Sequence, residues 1–244
     1  MRRSLHLPSP SASSAPPRSP AGREPIRLNL GSGPDAVPGW HNLDRSPNIL
    51  LDRLPLAKAA LRKVGLIDAG HMAAWSKGIR YWDARRGLPY EDGTVEAVYS
   101  SHTLEHMYLD VAEGLLAECR RVLRPGGRIR LALPDGEQIA RALVEDGSAE
   151  AARRYNEALA AAPAAQPPRT RLSHLVSGAY HRWQPTYPLV REMLEDVGFV
   201  ACTRRQYRDG ELPDLAAVET RPESFFIEAT VGHDPSGPGG PDSP

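Results

Sequence analysis

Four short groups of residues have the types and spacing that chemistry needs: Gly31-Ser32-Gly33, Asp44, Asp83-Ala84 and Ser100-Ser101-His102. Each directly follows a stretch that reads as a β-strand, and Asp135 closes a fifth such stretch. In an open parallel sheet, ligands bind outside the carboxyl ends of the strands, so these groups converge on one crevice. A Gly-x-Gly turn lets a ligand approach the backbone closely. An acidic side chain ending the second strand can accept from both hydroxyls of a ribose, which suits an adenosine-bearing cofactor. The plain alternative for Asp44 is a loop cap. Asp83 accepts either from an adenine amino group or from the loop 84–87 that follows it. His102, at the rim, suits a general base near neutral pH; capping or space-filling is its alternative. His106 is a second candidate, with a surface pair to Asp110 at i+4 as its plain reading. Glu105 at a helix start needs only the macrodipole to explain it. A further polar and aromatic group, which includes Tyr180, His181, Arg182, Trp183 and Tyr187, reads as an acceptor lid or as an exposed loop with its tryptophan tucked under it.

The elements that position these groups follow from period and punctuation. Strands are expected at 26–30, 40–43, 79–82, 94–99, 129–133, 199–207 and 224–231. Leu104, Met107, Tyr108, Val111, Leu115, Cys119, Val122 and Leu123 recur at three- and four-residue steps, one apolar helical stripe that Pro125-Gly126-Gly127 ends. Further helices are expected at 136–162 and 189–197, the latter capped by Gly198, and the region 46–78 has no clear period. Alternating strands and helices predict an α/β fold, with a doubly wound, mostly parallel seven-strand sheet covered by helices on both faces. Between Gly33 and Trp40 there is no room for the usual crossover helix of about 10 residues or more, so the first helix must be reduced to a turn.

Composition narrows the class. The 244 residues carry 30 basic and 30 acidic side chains, and this balance gives no electrostatic footprint for nucleic acid. Residues 1–24 and 232–244 are rich in Ser, Pro, Gly and Ala and read as disordered tails around a domain at 25–231, with the lid at about 163–187. No apolar run follows Arg2-Arg3 and none is long enough to span a membrane, so the expectation is a cytoplasmic protein with no membrane partner. Cys119 and Cys202 form no CxxC pattern, and no metal is expected; Cys119 reads as core. Oligomeric state is not legible.

The sequence resembles the class I, seven-strand, Rossmann-like S-adenosylmethionine-dependent methyltransferases, and within them a bacterial methyltransferase-type-11-like subgroup. The resemblance is carried by Leu28-Asn29-Leu30-Gly31-Ser32-Gly33, Gly39-Trp40-His41-Asn42-Leu43-Asp44, the segment 83–93, Ser100-Ser101-His102-Thr103-Leu104-Glu105-His106, Arg121-Val122-Leu123-Arg124-Pro125-Gly126-Gly127 and Val197-Gly198-Phe199. It implies S-adenosylmethionine as cofactor, with Gly31, Ser32 and Gly33 on its methionine part and Asp44 on the ribose. It also implies Asp83 and Ala84 near the adenine, and Ser100 beside the sulfonium. The chain departs from the pattern at Asp35, where a third glycine is usual, and in its short first crossover.

Methyl transfer is an in-line displacement that asks the protein to align an acceptor lone pair and exclude water. A protonated oxygen or nitrogen acceptor also needs a base, which is the role of His102, or of His106. Tyr180, His181 and Arg182 are the expected acceptor contacts, and a small molecule the expected acceptor. The rival is a protein of this fold that binds cofactor or a partner without catalysis. A nicotinamide dehydrogenase fits less well, since its acidic residue comes about 20 residues beyond a fuller glycine loop.

Overall fold

The computed structural model of the protein describes residues 25–63, 74–159 and 181–232. The expected tails (Gly232 apart), Tyr180 and most of the lid lie outside the described residues. Seven strands form one sheet in the order β3-β2-β1-β4-β5-β7-β6. They are β1 Ile26–Leu30, β2 His41–Asp44, β3 Ile79–Tyr81, β4 Val95–Ser101, β5 Leu123–Leu133, β6 Phe199–Arg205 and β7 Phe225–Val231. The first five are parallel, whereas β7 runs antiparallel to both β5 and β6. The chain winds outward from β1 on one side and from β4 on the other, which puts the switch point between those two strands. This is the doubly wound, mostly parallel Rossmann-like α/β fold expected from the sequence.

The helices are α1 Asn48–Leu51, α2 Pro55–Lys63, α3 Leu109–Val122, α4 Gly136–Asp146, α5 Ala149–Ala158, α6 Tyr187–Asp196 and α7 Leu215–Val218. No helix among the described residues is long and apolar enough to cross a membrane. One sheet face is covered by α3 and α6. Leu115, Leu116 and Val122 of α3, with Val190 and Leu194 of α6, pack on Leu28, Val98, Ile129 and Ile227. Each such side chain stabilises the fold by about 1.5–3 kcal/mol. On the opposite face Trp40, Ala97, Tyr99, Ala132 and Phe226 meet Leu212, Leu215 and Val218.

The first crossover is indeed a turn. Residues 31–40 join two parallel strands without a helix, and the buried Asn42 makes this possible. Its Oδ1 accepts from the Val37 N–H (3.0 Å) and from Asn29 Nδ2 (3.0 Å), while its Nδ2 donates to the carbonyls of Val37 and Trp40. One side chain thus satisfies backbone groups that a helix would have paired for itself.

Several boundaries differ from the sequence expectation, each for a local reason. The long helix begins at Leu109 rather than 104, because Met107 and Tyr108 are extended after a 3-10 turn at Leu104–His106. Leu104 and Met107 are buried all the same, but Tyr108 is exposed and leaves the stripe. Pro125-Gly126-Gly127 lies within the irregular entry to β5: partner pairing jumps from Leu123 to Arg128, with Gly126 at φ 73°. The expected helix 136–162 is two helices, since Gly147 takes a left-handed conformation and the Ser148 hydroxyl caps α5 by accepting from the Ala151 N–H. Strand β4 includes Ser100 and Ser101, which were expected to follow it.

The second face also holds a buried ionic cluster that no local pattern marks. Arg130, wholly buried, pairs through Nε with Glu219 and through Nη1 with Glu228 (3.2 Å). It also donates to the carbonyls of Asp209 and Gln206 (both 2.8 Å) and lies over the Phe226 ring. These bonds tie residues 206–219 to β5 and β7.

Candidate active site

An open cleft of about 260 Å³ lies at the carboxyl ends of β1 to β4. Leu30 and Gly31 line it from β1, Leu43, Asp44, Arg45, Ser46 and Pro47 from β2, Trp82, Ala84 and Arg85 from β3, and His102, Thr103, His106 and Met107 from β4. Of the expected site residues, Gly31, Asp44, Ala84, His102 and His106 therefore meet in one place. Arg45, Trp82 and Thr103 were not anticipated; the only signal for them was position just past a strand end.

The glycine loop is built for close approach. Gly31 and Gly33 have φ of 69° and 67°, a left-handed region that side chains disfavour. A Cβ on Gly31 would stand 1.9 Å from Thr103 Oγ1, whereas one on Gly33 would meet nothing within 4 Å. Gly31 is thus pressed on the segment after β4, whereas Gly33 faces open space, and neither Ser32 nor Gly33 is among the residues that line the cleft. Asp44 fixes this loop: its Oδ2 accepts from the Gly33 N–H (3.0 Å) and its Oδ1 from the Ser46 N–H (2.7 Å). Both the capping role and a ribose-binding role are compatible here, because each carboxylate oxygen keeps a further lone pair. Ser32 directs its hydroxyl to the Gly33 carbonyl (3.3 Å), and Asp35 is exposed.

Asp83 and Ser100 are placed differently from what the resemblance implied. The Asp83 carboxylate caps the turn Ala84–Arg86 and holds the Arg85 guanidinium through Nε (2.7 Å) and Nη2 (2.5 Å). That hydrogen-bonded guanidinium, more than any other cause, holds the Asp83 carboxyl below the usual carboxylate range. Only Ala84 and Arg85 of this turn reach the cleft. Ser100 is buried inside β4 and donates to the Leu30 carbonyl (3.1 Å), so its side chain bridges the two switch-point strands and does not line the cleft. Asp135 also proves structural: it caps α4 by accepting from the Gln138 N–H and pairs with Arg204 (2.6 Å).

His102 departs from regular backbone just where β4 ends. Its N–H still pairs with the Ala132 carbonyl (2.9 Å), but its φ is 47°, an unfavourable conformation for a residue with a Cβ. Such strain, concentrated at a cleft rim, is what functional positioning often requires. The ring is hydrogen-bonded at Nε2, which lies 2.8 Å from Ser224 Oγ, while Nδ1 faces Glu105 Oε1 at 3.2 Å without a hydrogen bond between them. With the proton on Nδ1 facing the carboxylate, Nε2 is the acceptor and the basic atom. Glu105 is wholly buried, so the macrodipole reading for an exposed helix start does not apply.

His106 and His181 stack edge to face, with ring centroids 5.0 Å apart at 67°. Burial chiefly pushes the His181 ring below its ordinary pKa, with Glu105 opposing. Arg182, in contrast, is exposed; its guanidinium lies over the Tyr108 ring (4.3 Å) and is not among the residues that line the cleft. Its backbone N–H donates to the Glu105 carbonyl (2.7 Å), and Trp183 Nε1 donates to the Leu104 carbonyl (3.2 Å). The tryptophan is tucked under this segment, which is stitched to the turn at Leu104–His106.

Residues 49–131 match the family model described as "Methyltransferase domain". A stretch of 52 residues is 44% identical to an uncharacterized 37.1 kDa protein in transposon Tn4556 of Streptomyces fradiae; it covers 21% of this chain and only 14% of that relative. Among solved structures, an S-adenosylmethionine-dependent methyltransferase of Archaeoglobus fulgidus is 12% identical, with a TM-score of 0.47 over 84% of this chain and 86% of its own. One from Thermotoga maritima is 17% identical, with a TM-score of 0.45 over 86% and 84%. A phosphoethanolamine N-methyltransferase of Haemonchus contortus, solved with phosphomonomethylethanolamine and S-adenosylhomocysteine, is 13% identical, with a TM-score of 0.44 over 88% and 51%.

Proposed function

We propose that this class I, Rossmann-like methyltransferase domain transfers a methyl group from S-adenosylmethionine to an oxygen or nitrogen of a small-molecule acceptor. The observation that carries the reading is the convergence of Gly31, Asp44, Ala84 and His102 on one cleft at the switch point. The residues present fit the cofactor. Gly33 leaves room that a Cβ would occupy, the Gly31 loop is held to β2 by the Gly31 N–H on the Leu43 carbonyl (2.8 Å), and Asp44 keeps spare acceptor capacity. Gly31, Ser32 and Gly33 would hold the methionine part, Asp44 the ribose, and Ala84 with Trp82 the adenine. When bound, the cofactor supplies a methyl carbon already activated by the sulfonium charge.

The chain's own task is to orient the acceptor and take its proton. His102 Nε2 faces Ser224, so an acceptor hydroxyl or amine enters by replacing the Ser224 hydroxyl on that nitrogen. The buried Glu105 beside Nδ1 favours the imidazolium that results. His106, across the cleft floor, and His181 behind it complete the acceptor end.

Thermal melting with and without S-adenosylhomocysteine, and with NAD as control, tests the cofactor. At about 100 times its dissociation constant a ligand adds about 2.7 kcal/mol, a rise of roughly 5–10 °C here. No rise at saturation defeats the reading. Given binding, His102→Ala should cut turnover about 10²–10⁴-fold and leave the melting shift intact. Equal loss of both would remove His102 from the base role.

A further inference from the structure

Glu105 is fully buried, yet no hydrogen bond reaches either of its carboxylate oxygens. A carboxylate taken out of water with both oxygens unpartnered costs several kcal/mol unless a cation stands against it. The groups that face it are imidazoles. His102 Nδ1 is 3.2 Å from Oε1 and His181 Nε2 is 4.0 Å from it, with His106 edge to face on His181. One ligand atom each from Glu105, His106 and His181 can be chosen so that all lie within 4.8 Å of one another.

Two separate pieces of chain build this cluster, and backbone bonds hold them in register. The 3-10 turn at Leu104–His106 presents Glu105 and His106 from adjacent positions. The segment that begins at His181 is fastened to that turn by the Arg182 N–H on the Glu105 carbonyl and by Trp183 Nε1 on the Leu104 carbonyl. The arrangement therefore does not depend on the imidazole–carboxylate contacts themselves.

We infer that Glu105, His106 and His181 hold one divalent first-row transition cation of the zinc class, beside the methyl-transfer cleft. Two imidazoles and a carboxylate are the donor set of catalytic zinc sites, which keep a further position open. They suit such an ion better than magnesium or calcium, which favour oxygen ligands. A tetrahedral set at about 2.1 Å has donors roughly 3.4 Å apart, so the side chains draw together by small torsional changes when the ion binds. His106 lines the cleft, so the open position faces it. The same three residues border the acceptor end of the cleft, but cation binding requires neither cofactor nor acceptor and is read separately from methyl transfer.

The test uses the full chain, freed of any purification tag and stripped of metal with a chelator. Co²⁺ is titrated and followed by its visible absorption, and Zn²⁺ by calorimetry. One equivalent of Co²⁺ should give a visible band that Zn²⁺ abolishes. His106→Ala, His181→Ala and Glu105→Gln should each weaken binding by more than about 100-fold, beyond the 10–100-fold that loss of a supporting residue costs. Should Glu105→Gln fail to fold, the two histidine variants decide. Absence of a saturable band overturns the inference. Binding that survives in His106→Ala and His181→Ala also overturns it, since the ion then sits elsewhere among the eight histidines and a protonated imidazole balances Glu105. The S-adenosylhomocysteine melting shift of the metal-stripped protein reads the cofactor separately, so the two proposals fail independently.

Discussion

Gly31→Ala probes the contact on which the cleft is built. The added Cβ would lie 1.9 Å from Thr103 Oγ1, about 1.5 Å short of ordinary contact. Thr103 cannot simply swing aside, because its single hydroxyl proton is shared between the carbonyls of Ser101 (3.0 Å) and Leu30 (3.3 Å). The left-handed backbone at residue 31 costs about 1–2 kcal/mol for alanine. Losing that one shared hydrogen bond adds about 1 kcal/mol, for a total of about 2–3 kcal/mol. Gly33→Ala has the same backbone cost and no clash, so it isolates the first contribution. At roughly 2–4 °C per kcal/mol, Gly31→Ala should melt roughly 2–4 °C below Gly33→Ala. Thr103→Ala placed on Gly31→Ala removes the short contact, and a double-mutant cycle by denaturant unfolding should return a coupling of at least about 1 kcal/mol. Equal melting of the two glycine variants, or additivity within about 0.5 kcal/mol, would refute the packing argument.

Three further outcomes follow from other contacts. Arg130→Met leaves Glu219 and Glu228 buried without their cation and should cost about 3–5 kcal/mol by urea unfolding, while the S-adenosylhomocysteine shift persists; an unchanged midpoint would deny that the cluster is buried. Asp44→Ala should weaken S-adenosylhomocysteine binding about 10–100-fold by calorimetry, since it removes a charged acceptor and frees Gly33; unaltered affinity would reduce Asp44 to a loop cap. Glu118, hydrogen-bonded by Arg121 (2.9 Å), titrates below the ordinary glutamate range, chiefly through that bond. Its stabilising contribution is therefore complete above the ordinary range and is lost as pH falls through the depressed value. Glu118→Gln should be about 1–2 kcal/mol less stable at neutral pH and should converge with the parent in acid; parallel stability curves would contradict this.

The strands and the crevice were legible because a parallel sheet puts its ligand groups just past strand ends, where Gly31, Asp44, Ala84 and His102 stand in the sequence. What could not be read were the partners of buried polar groups. Asn42 looks like any loop asparagine until its four bonds are seen, and Glu105 looks like a helix-start acid because the break at Met107 and Tyr108 leaves the apolar stripe intact. Ser100 failed as a cleft residue for a related reason: strand ends are uncertain by a residue or two, and one step reverses the face of a side chain. Arg130 sits in an alternating strand where nothing local marks a charge that will meet Glu219 from 89 residues away.

The absence of a first crossover helix has a consequence for how the chain reaches its native state. The sheet face that such a helix would help to cover is closed by residues 207–218, with Trp40 Nε1 on Asp214 (3.2 Å) across 174 positions and Arg27 on the same carboxylate across 187. During synthesis Trp40, Ala97 and Tyr99 emerge long before Leu212, Leu215 and Val218, which pack on them among the described residues. Packing of this face therefore waits on residues 207–218, with slow loop closure and a bare apolar surface in the interim. Nicking between β6 and β7 would recreate that surface in the finished protein, so this connection, which also supplies Ser224 to His102, is where loss of solubility should begin.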